Sequence, residues 1–142
     1  FNFIYYYIIL LLNKFIIMNK LNSTDFRRGN LVKYEGEIYR IDSIADIFPT
    51  LDTDIFGIGV VDWNNIEQIP LTEVHFVKNL GAICPDDGHY EIEADNFKIS
   101  YGIFDHKIKV NEVEVKICEY LHQLQNLYQS LSGNELPINN MN

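Results

Sequence analysis

The stretch LVKYEGEIYRI, residues 31–41, predicts the start of the fold. Residues 31–34 and 38–41 are rich in amino acids that favour β-strands. Glu35-Gly36 between them is a turn signal, because glycine tolerates a positive φ angle. We therefore predict a β-hairpin. Its Gly-Asn-x-Val opening, glycine turn and second strand are similar to the opening of a small SH3-like barrel.

The rest of the chain predicts a single α+β domain with a strand-rich body, one short central helix and a C-terminal amphipathic helix. Strands are expected where apolar residues occupy every second position, and helices where they recur at helical spacing. The elements predicted after the hairpin are a loop at 48–54, a strand at 55–63, a helix at 72–80, a turn at 85–88, strands at 90–92 and 97–103, a second hairpin at 108–117 and a helix at 120–133.

Residues 1–17 are strongly apolar. Their uninterrupted apolar run, residues 3–12, is shorter than the roughly 20 residues that a membrane-spanning helix needs. All of residues 1–17 belong to the amino acids that codons of A and T alone encode. We therefore expect this segment to be an upstream translation artefact, or otherwise an apolar leader or membrane anchor, and the domain to span residues 18–142.

The charge balance of the chain limits its partners. Twenty acidic residues stand against 11 basic ones, which gives a net charge of −9. This excess repels phosphate backbones and favours a basic protein partner. Arg27, Arg28 and Lys33, near two tyrosines of the hairpin, would form the nucleic-acid interface in an alternative interpretation, since SH3-like barrels also bind nucleic acid.

Two cysteine–histidine pairs are the most enzyme-like features. Cys118 and His122 are one helical turn apart near the predicted start of the C-terminal helix, where the helix dipole lowers a thiol pKa. Cys84 and His89 would supply two ligands to a metal site, but zinc sites use four. Packed, reduced thiols are the commoner role, so we expect no catalytic residue, no metal ligand and no cofactor. A small cysteine- or metal-dependent enzyme is the remaining alternative.

The C-terminal helix is the most informative element, because residues 120–133 include no Asp, Glu, Lys or Arg. Solvated helix faces usually carry charge, whereas interface cores are depleted in it. We therefore predict that the helix contacts a protein partner or a second copy of the chain. The predicted outer face consists of His122, Gln123, Gln125, Asn126, Gln129 and Ser130. The predicted partner-binding residues are Tyr120, Gln125, Asn126, Tyr128 and Gln129.

The stretches RRGNLVKYEGEIYRIDSI (27–44), IPLTE (69–73) and LHQLQNLYQSLSGNEL (121–136) resemble a family of uncharacterised proteins from phages and prophages of Bacteroidota. In order, they resemble its N-terminal hairpin, its short helix start and its C-terminal helix. The resemblance implies an accessory protein in a bacterial cytoplasm and supplies no catalytic residues. We therefore expect a non-enzymatic protein that acts by protein–protein contact.

Overall fold

Two five-stranded antiparallel sheets and one α-helix form the described part of the chain in the computed structural model. The structure describes residues 25–45, 48–52, 59–86, 88–116, 118–139 and 141, so the expectation for residues 1–17 lies outside the described residues. The first sheet contains β1 (Leu31–Tyr34), β2 (Glu37–Ala45), β3 (Phe48–Asp52), β4 (Gly59–Val60) and β5 (Ile66–Glu67). The second sheet contains β6 (Ile83–Asp86), β7 (His89–Glu93), β8 (Lys98–Gly102), β9 (Ile108–Val110) and β10 (Val113–Val115). The coarse α+β class is confirmed, with strands predominating.

The predicted first hairpin is present as β1 and β2. Tyr34 pairs with Glu37, so the turn contains only Glu35 and Gly36. Both turn residues have positive φ angles, 50° and 83°, as a type I′ turn requires. The Glu-Gly dipeptide therefore fixes the register of the hairpin.

Both sheets are built mainly from neighbouring strands in the chain. The strand order is β4-β3-β2-β1-β5 in the first sheet and β10-β9-β8-β7-β6 in the second. β5 returns to pair with β1, and a 3₁₀ turn at Trp63–Asn65 leads from β4 into β5. The second sheet is a simple meander, and its last two strands form the second predicted hairpin.

Two segments predicted as loops are strands. Residues 48–52 pair with β2 although they include Pro49, whose carbonyl accepts a hydrogen bond from Val61 N at 3.1 Å. Residues 83–86 pair with β7 across an irregular register, where the sequence predicts a turn from residue 85. The loop prediction is wrong over residues 48–52, whereas the turn predicted at 85–88 is present but begins later, because β6 extends to Asp86, which pairs with His89. In both places pairing with neighbouring strands outweighs local turn propensity. The predicted strand at 55–63 is described only from residue 59.

The predicted central helix is a π-helical turn, His75–Asn79. Leu80 N donates to the carbonyl of His75, five residues earlier, at 3.0 Å. This wider spacing rotates side chains away from the positions of an ordinary α-helix. Phe76 of the predicted apolar face is fully buried, whereas Val77 is 50% exposed and does not join that face.

Helix α1 (Leu121–Ser132) lies between the two sheets. Its first residue, Leu121, packs with Leu31 of β1, while Leu124 belongs to the buried cluster of the second sheet. The helix ends at Gly133, whose φ of 75° gives the left-handed C-cap that the sequence predicts. Because it contributes to both cores, α1 joins the two sheets.

The residues after α1 continue the core. Leu136 is buried in the cluster of the second sheet, and Ile138 packs beside Leu31 and Leu121. Asn139 exchanges two hydrogen bonds with Asn79, at 2.8 and 2.7 Å. This segment therefore fixes the π-helical turn against the rest of the fold.

Candidate functional site

Gln125 of α1 binds the backbone at the start of β1. The side chain is 1% exposed; its Oε1 accepts from Leu31 N at 2.9 Å, and its Nε2 donates to Gly29 O at 3.1 Å. β5, the neighbour of β1 on this side, pairs only with Lys33 and Tyr34. The Gln125 amide thus forms, with Leu31 and Gly29, the hydrogen bonds that a neighbouring strand would form if β5 extended this far.

Asn126 extends this junction between helix and sheet. Its Oδ1 accepts from Asn30 Nδ2 at 2.9 Å, and its own Nδ2 donates to the carbonyl of Asp25 at 3.2 Å. The predicted placement of Gln125 and His122 on the outer face is wrong, because both are 1% exposed. An uncharged polar face was needed here to satisfy backbone groups inside the fold.

Arg27 is committed to an internal ion pair. Its guanidinium contacts both carboxylate oxygens of Glu135, at 2.6 and 3.0 Å, and donates to the carbonyl of Gln125 at 3.2 Å. These hydrogen bonds lower the pKa of Glu135. Of the other two cations predicted for nucleic-acid binding, Arg28 lies 3.7 Å from Asp42, and Lys33 is exposed. The structure therefore does not form one basic strip from these three residues.

Cys118 and His122 do not form a reactive pair. Helix α1 begins at Leu121, so Cys118 precedes it, and burial raises the pKa of the thiol to about 12. Burial also lowers the pKa of His122 to about 4. Both ring nitrogens of His122 are buried and find no hydrogen-bond partner among the described residues, and the ring stacks on Phe26 at 4.2 Å between centroids. The histidine therefore acts as a packed aromatic ring.

Cys84 and His89 lie near each other with different partners. The exposed thiol of Cys84 donates to the carbonyl of Asp86 at 2.8 Å. The two ring nitrogens of His89 each lie 2.9 Å from a carboxylate, that of Asp86 on one side and that of Glu91 on the other. Hydrogen bonding to Glu91 is the main cause that raises the pKa of His89. Because the carboxylates bind opposite nitrogens, they do not converge on one metal position.

The accessible part of α1 is its C-terminal half, residues 128–131, which we call the distal helix face; these four consecutive side chains point in different directions around the helix end. Leu131 is 46% exposed, and the Tyr128 ring packs edge-on against Phe97 at 5.5 Å. Within the described residues the Gln129 amide makes no side-chain hydrogen bond. Tyr120 is half-buried at the other end of the helix, about 12 Å away along the axis. The predicted partner-binding residues therefore do not share one surface.

Sequence reasoning did not identify Phe104, which is 83% exposed in the loop between β8 and β9. It borders a cleft of about 310 Å³ on the outer side of the second sheet. The available signal was a break in the two-residue alternation at Ile103-Phe104, where two apolar residues follow each other.

Comparison with known proteins gives no relative for this arrangement: no family model, curated protein or solved structure matches the chain.

Among the helices of the described residues, none has both the length and the apolar composition that crossing a bilayer requires. Across the same residues, no group of three or more His, Cys, Asp or Glu side chains is arranged to hold a metal ion. The distal helix face and the Phe104 cleft are two of the surfaces that the described residues expose.

Proposed function

We propose that the protein is a non-enzymatic accessory protein of a phage or prophage, located in the bacterial cytoplasm, that binds another protein through the distal helix face. The phage assignment is supported by the resemblance of residues 27–44, 69–73 and 121–136. The binding mode is supported by the accessible, uncharged surface at the C-terminal half of α1.

One observation carries the binding proposal. Hydrogen bonds within the chain engage the side-chain amides of Gln123, Gln125 and Asn126, whereas the Gln129 amide forms none among the described residues. Leu131, two positions further on and therefore on the other side of the helix, leaves 46% of its surface exposed. A helix end that exposes a leucine, carries no charge and keeps an amide without a side-chain partner suits a protein interface, because interface cores are depleted in charge.

The surface around this face supports the same function. Tyr128 is held by Phe97, so its ring is preorganised for contact. Phe97 precedes β8, and Lys98 at the start of β8 exchanges hydrogen bonds with Asn111 in the turn before β10. Val113, the first residue of β10, is 69% exposed near this end of the sheet. An apolar sheet edge therefore lies at the same end of the molecule as the distal helix face.

We further infer that the first sheet is an SH3-like module. A small antiparallel sheet of five strands around one buried cluster supports this description, together with the tight hairpin that opens it. Such a module would place α1 as an addition to a barrel, since Gln125 binds the barrel at β1.

A crosslinking experiment tests the proposed contact. A photoreactive amino acid at Gln129 is expected to give a discrete adduct, with a second copy or with a host protein, in extracts of the native host. The same probe at Val60, which is 67% exposed on the first sheet, is the matched control and is expected to give none. Light scattering on the purified chain then separates self-association from binding to another protein.

The substitution Leu131→Glu is the second part of the crosslinking test. It is expected to abolish the Gln129 adduct, since it places a charge in the contact, while Val60→Glu leaves the adduct intact. Both positions are exposed, so both variants are expected to unfold at the same urea concentration as the wild type. A monomeric chain whose Gln129 probe forms no adduct would contradict the proposal.

A further inference from the structure

The outer side of the second sheet, opposite α1, contains a cleft of about 310 Å³. Its floor includes Ser100 and Lys109, which are paired across β8 and β9. Their neighbours along the strands, Ile99, Tyr101 and Ile108, point the other way into the buried cluster. The cleft therefore opens away from the core and from the distal helix face. Its lining residues are Asp86, Gly88, His89, Ser100, Gly102, Phe104, Asp105, Lys107, Lys109 and Glu112.

The loop that presents Phe104 at this cleft is firmly held. Gly102 exchanges backbone hydrogen bonds with Lys107 and His106, at 2.9 and 3.0 Å. The Asp105 carboxylate accepts from Lys107 N at 3.1 Å, and any side chain at Gly102 would collide with that carboxylate. The backbone that carries Phe104 is thus held by hydrogen bonds on both sides, and its 83% exposed ring offers an apolar surface at the cleft.

The charges of the cleft nearly cancel. Two lysines and His89, whose ring lies between two carboxylates, stand against three acidic residues in the lining. Within the described residues, the side chains of Ser100, Lys109 and Glu112 have no hydrogen bond or ion pair. The Glu112 carboxylate accepts hydrogen bonds, the Lys109 ammonium donates them, and the Ser100 hydroxyl does both. The free groups therefore suit a ligand whose polar groups both donate and accept.

We propose that this cleft binds a neutral polyhydroxylated ligand, a carbohydrate, with one sugar ring stacked on Phe104. Sugar hydroxyls donate and accept, so they match the mixture of Ser100, Lys109 and Glu112. The C–H face of a sugar ring is apolar and covers an exposed aromatic ring. A volume of about 310 Å³ is at the small end of ligand sites and accommodates one or two rings. An anionic ligand would be repelled by the acidic residues of the lining, and a cationic ligand by its lysines.

Saturation-transfer NMR on the full chain tests this proposal. The probes are maltotriose, cellotriose, mannotriose and triacetylchitotriose, each up to about 10 mM, which detects millimolar dissociation constants. At least one is expected to bind, with the transfer strongest at ring protons. Phe104→Ala is expected to weaken binding about tenfold through the lost stacking surface. Its matched control, Val60→Ala, also removes an exposed apolar side chain and is expected to bind like the wild type.

A second variant and a salt series complete the test. Lys109→Met is expected to weaken the same sugar, and binding is expected to stay constant as NaCl rises, because the ligand is uncharged. If none of the four sugars binds, or if Phe104→Ala binds as well as Val60→Ala, the proposal is overturned. Binding only of inorganic phosphate, or only of a charged peptide, would also overturn it and would assign the cleft to another ligand class.

Discussion

Gln125 and Leu31 are 94 positions apart in the chain, yet the amide oxygen of the first lies 2.9 Å from the backbone nitrogen of the second. The helix thereby supplies a hydrogen-bond acceptor to the side of β1 that β5 does not reach at Leu31. This contact is the clearest link between α1 and the first sheet, and it makes the stability of the sheet dependent on a helix formed much later in the sequence.

Replacing Gln125 with leucine is expected to destabilise the fold. The change leaves the buried Leu31 N–H without a partner and removes one of the two donors to the Gly29 carbonyl, which keeps its bond from Arg40 Nη1 at 3.0 Å. We expect this to cost roughly 2 kcal/mol of unfolding free energy. Gln129→Leu makes the same chemical change on the same helix, where no side-chain hydrogen bond is lost. It is expected to stay within about 0.5 kcal/mol of the wild type. Urea unfolding followed by circular dichroism measures both, and equal midpoints would refute the role given to Gln125.

Arg27→Lys tests the ion pair with Glu135. Lysine keeps the charge but lacks the planar fork, so it loses one carboxylate contact and the bond to the Gln125 carbonyl. We expect a loss of about 1 kcal/mol in unfolding free energy. Arg28→Lys is the matched control, since that side chain is 81% exposed, and it is expected to change nothing measurable.

The same pair has a pH signature. The pKa of Glu135 is lowered in the folded chain, so its contribution is present above the ordinary glutamate pKa and is lost as pH falls through the folded value. The stability difference between wild type and Arg27→Lys should therefore shrink in acid. A difference that is constant from pH 7 into the acid range would show that the guanidinium acts through packing alone.

His122 is expected to make the protein acid-sensitive. Its pKa is about 4 in the folded chain against an ordinary value of 6.5, so between these values the unfolded chain binds a proton that the folded chain does not. The unfolding free energy therefore falls as pH decreases through this window, by roughly 3 kcal/mol in total.

His122→Phe separates this effect from general acid unfolding. The variant keeps a ring against Phe26, and it loses no hydrogen bond to the part of the chain that the structure describes, where neither imidazole nitrogen has a partner. We expect it to be about 1 kcal/mol more stable than the wild type at pH 7. The gap should widen towards pH 4, as measured by urea unfolding at each pH. A variant that is less stable at pH 7, or a gap independent of pH, would contradict a buried neutral histidine.

The sequence predicts those elements whose signals are local. The Glu35-Gly36 turn and the alternating residues of β7 and β8 required no information about neighbours, and Gly133 marked the end of α1. β3 and β6 were missed because proline and aspartate favour turns locally, while the strands next to them supply the pairing. Strand formation there is a property of the assembled sheet.

The candidate sites show the same limit. Helical spacing shows that Gln125 and Gln129 lie on the polar side of α1, but it does not reveal what lies opposite each of them. One meets the backbone of β1, and the other meets solvent or a partner. The exposed position of Phe104 depends on a loop closed by the hydrogen bonds of Gly102 with Lys107 and His106 and of Asp105 with Lys107, which no pattern in the sequence indicates.

The position of α1 between the sheets also sets the order of events during synthesis. Both sheets leave the ribosome before α1, at about 5 to 20 residues per second. Until the helix and Leu136 emerge, Leu31 lacks its amide acceptor and the second sheet lacks part of its core. Nascent chains halted before residue 120 should thus be targets for chaperones and proteases, and release of the helix would convert two exposed sheets into one cooperative unit.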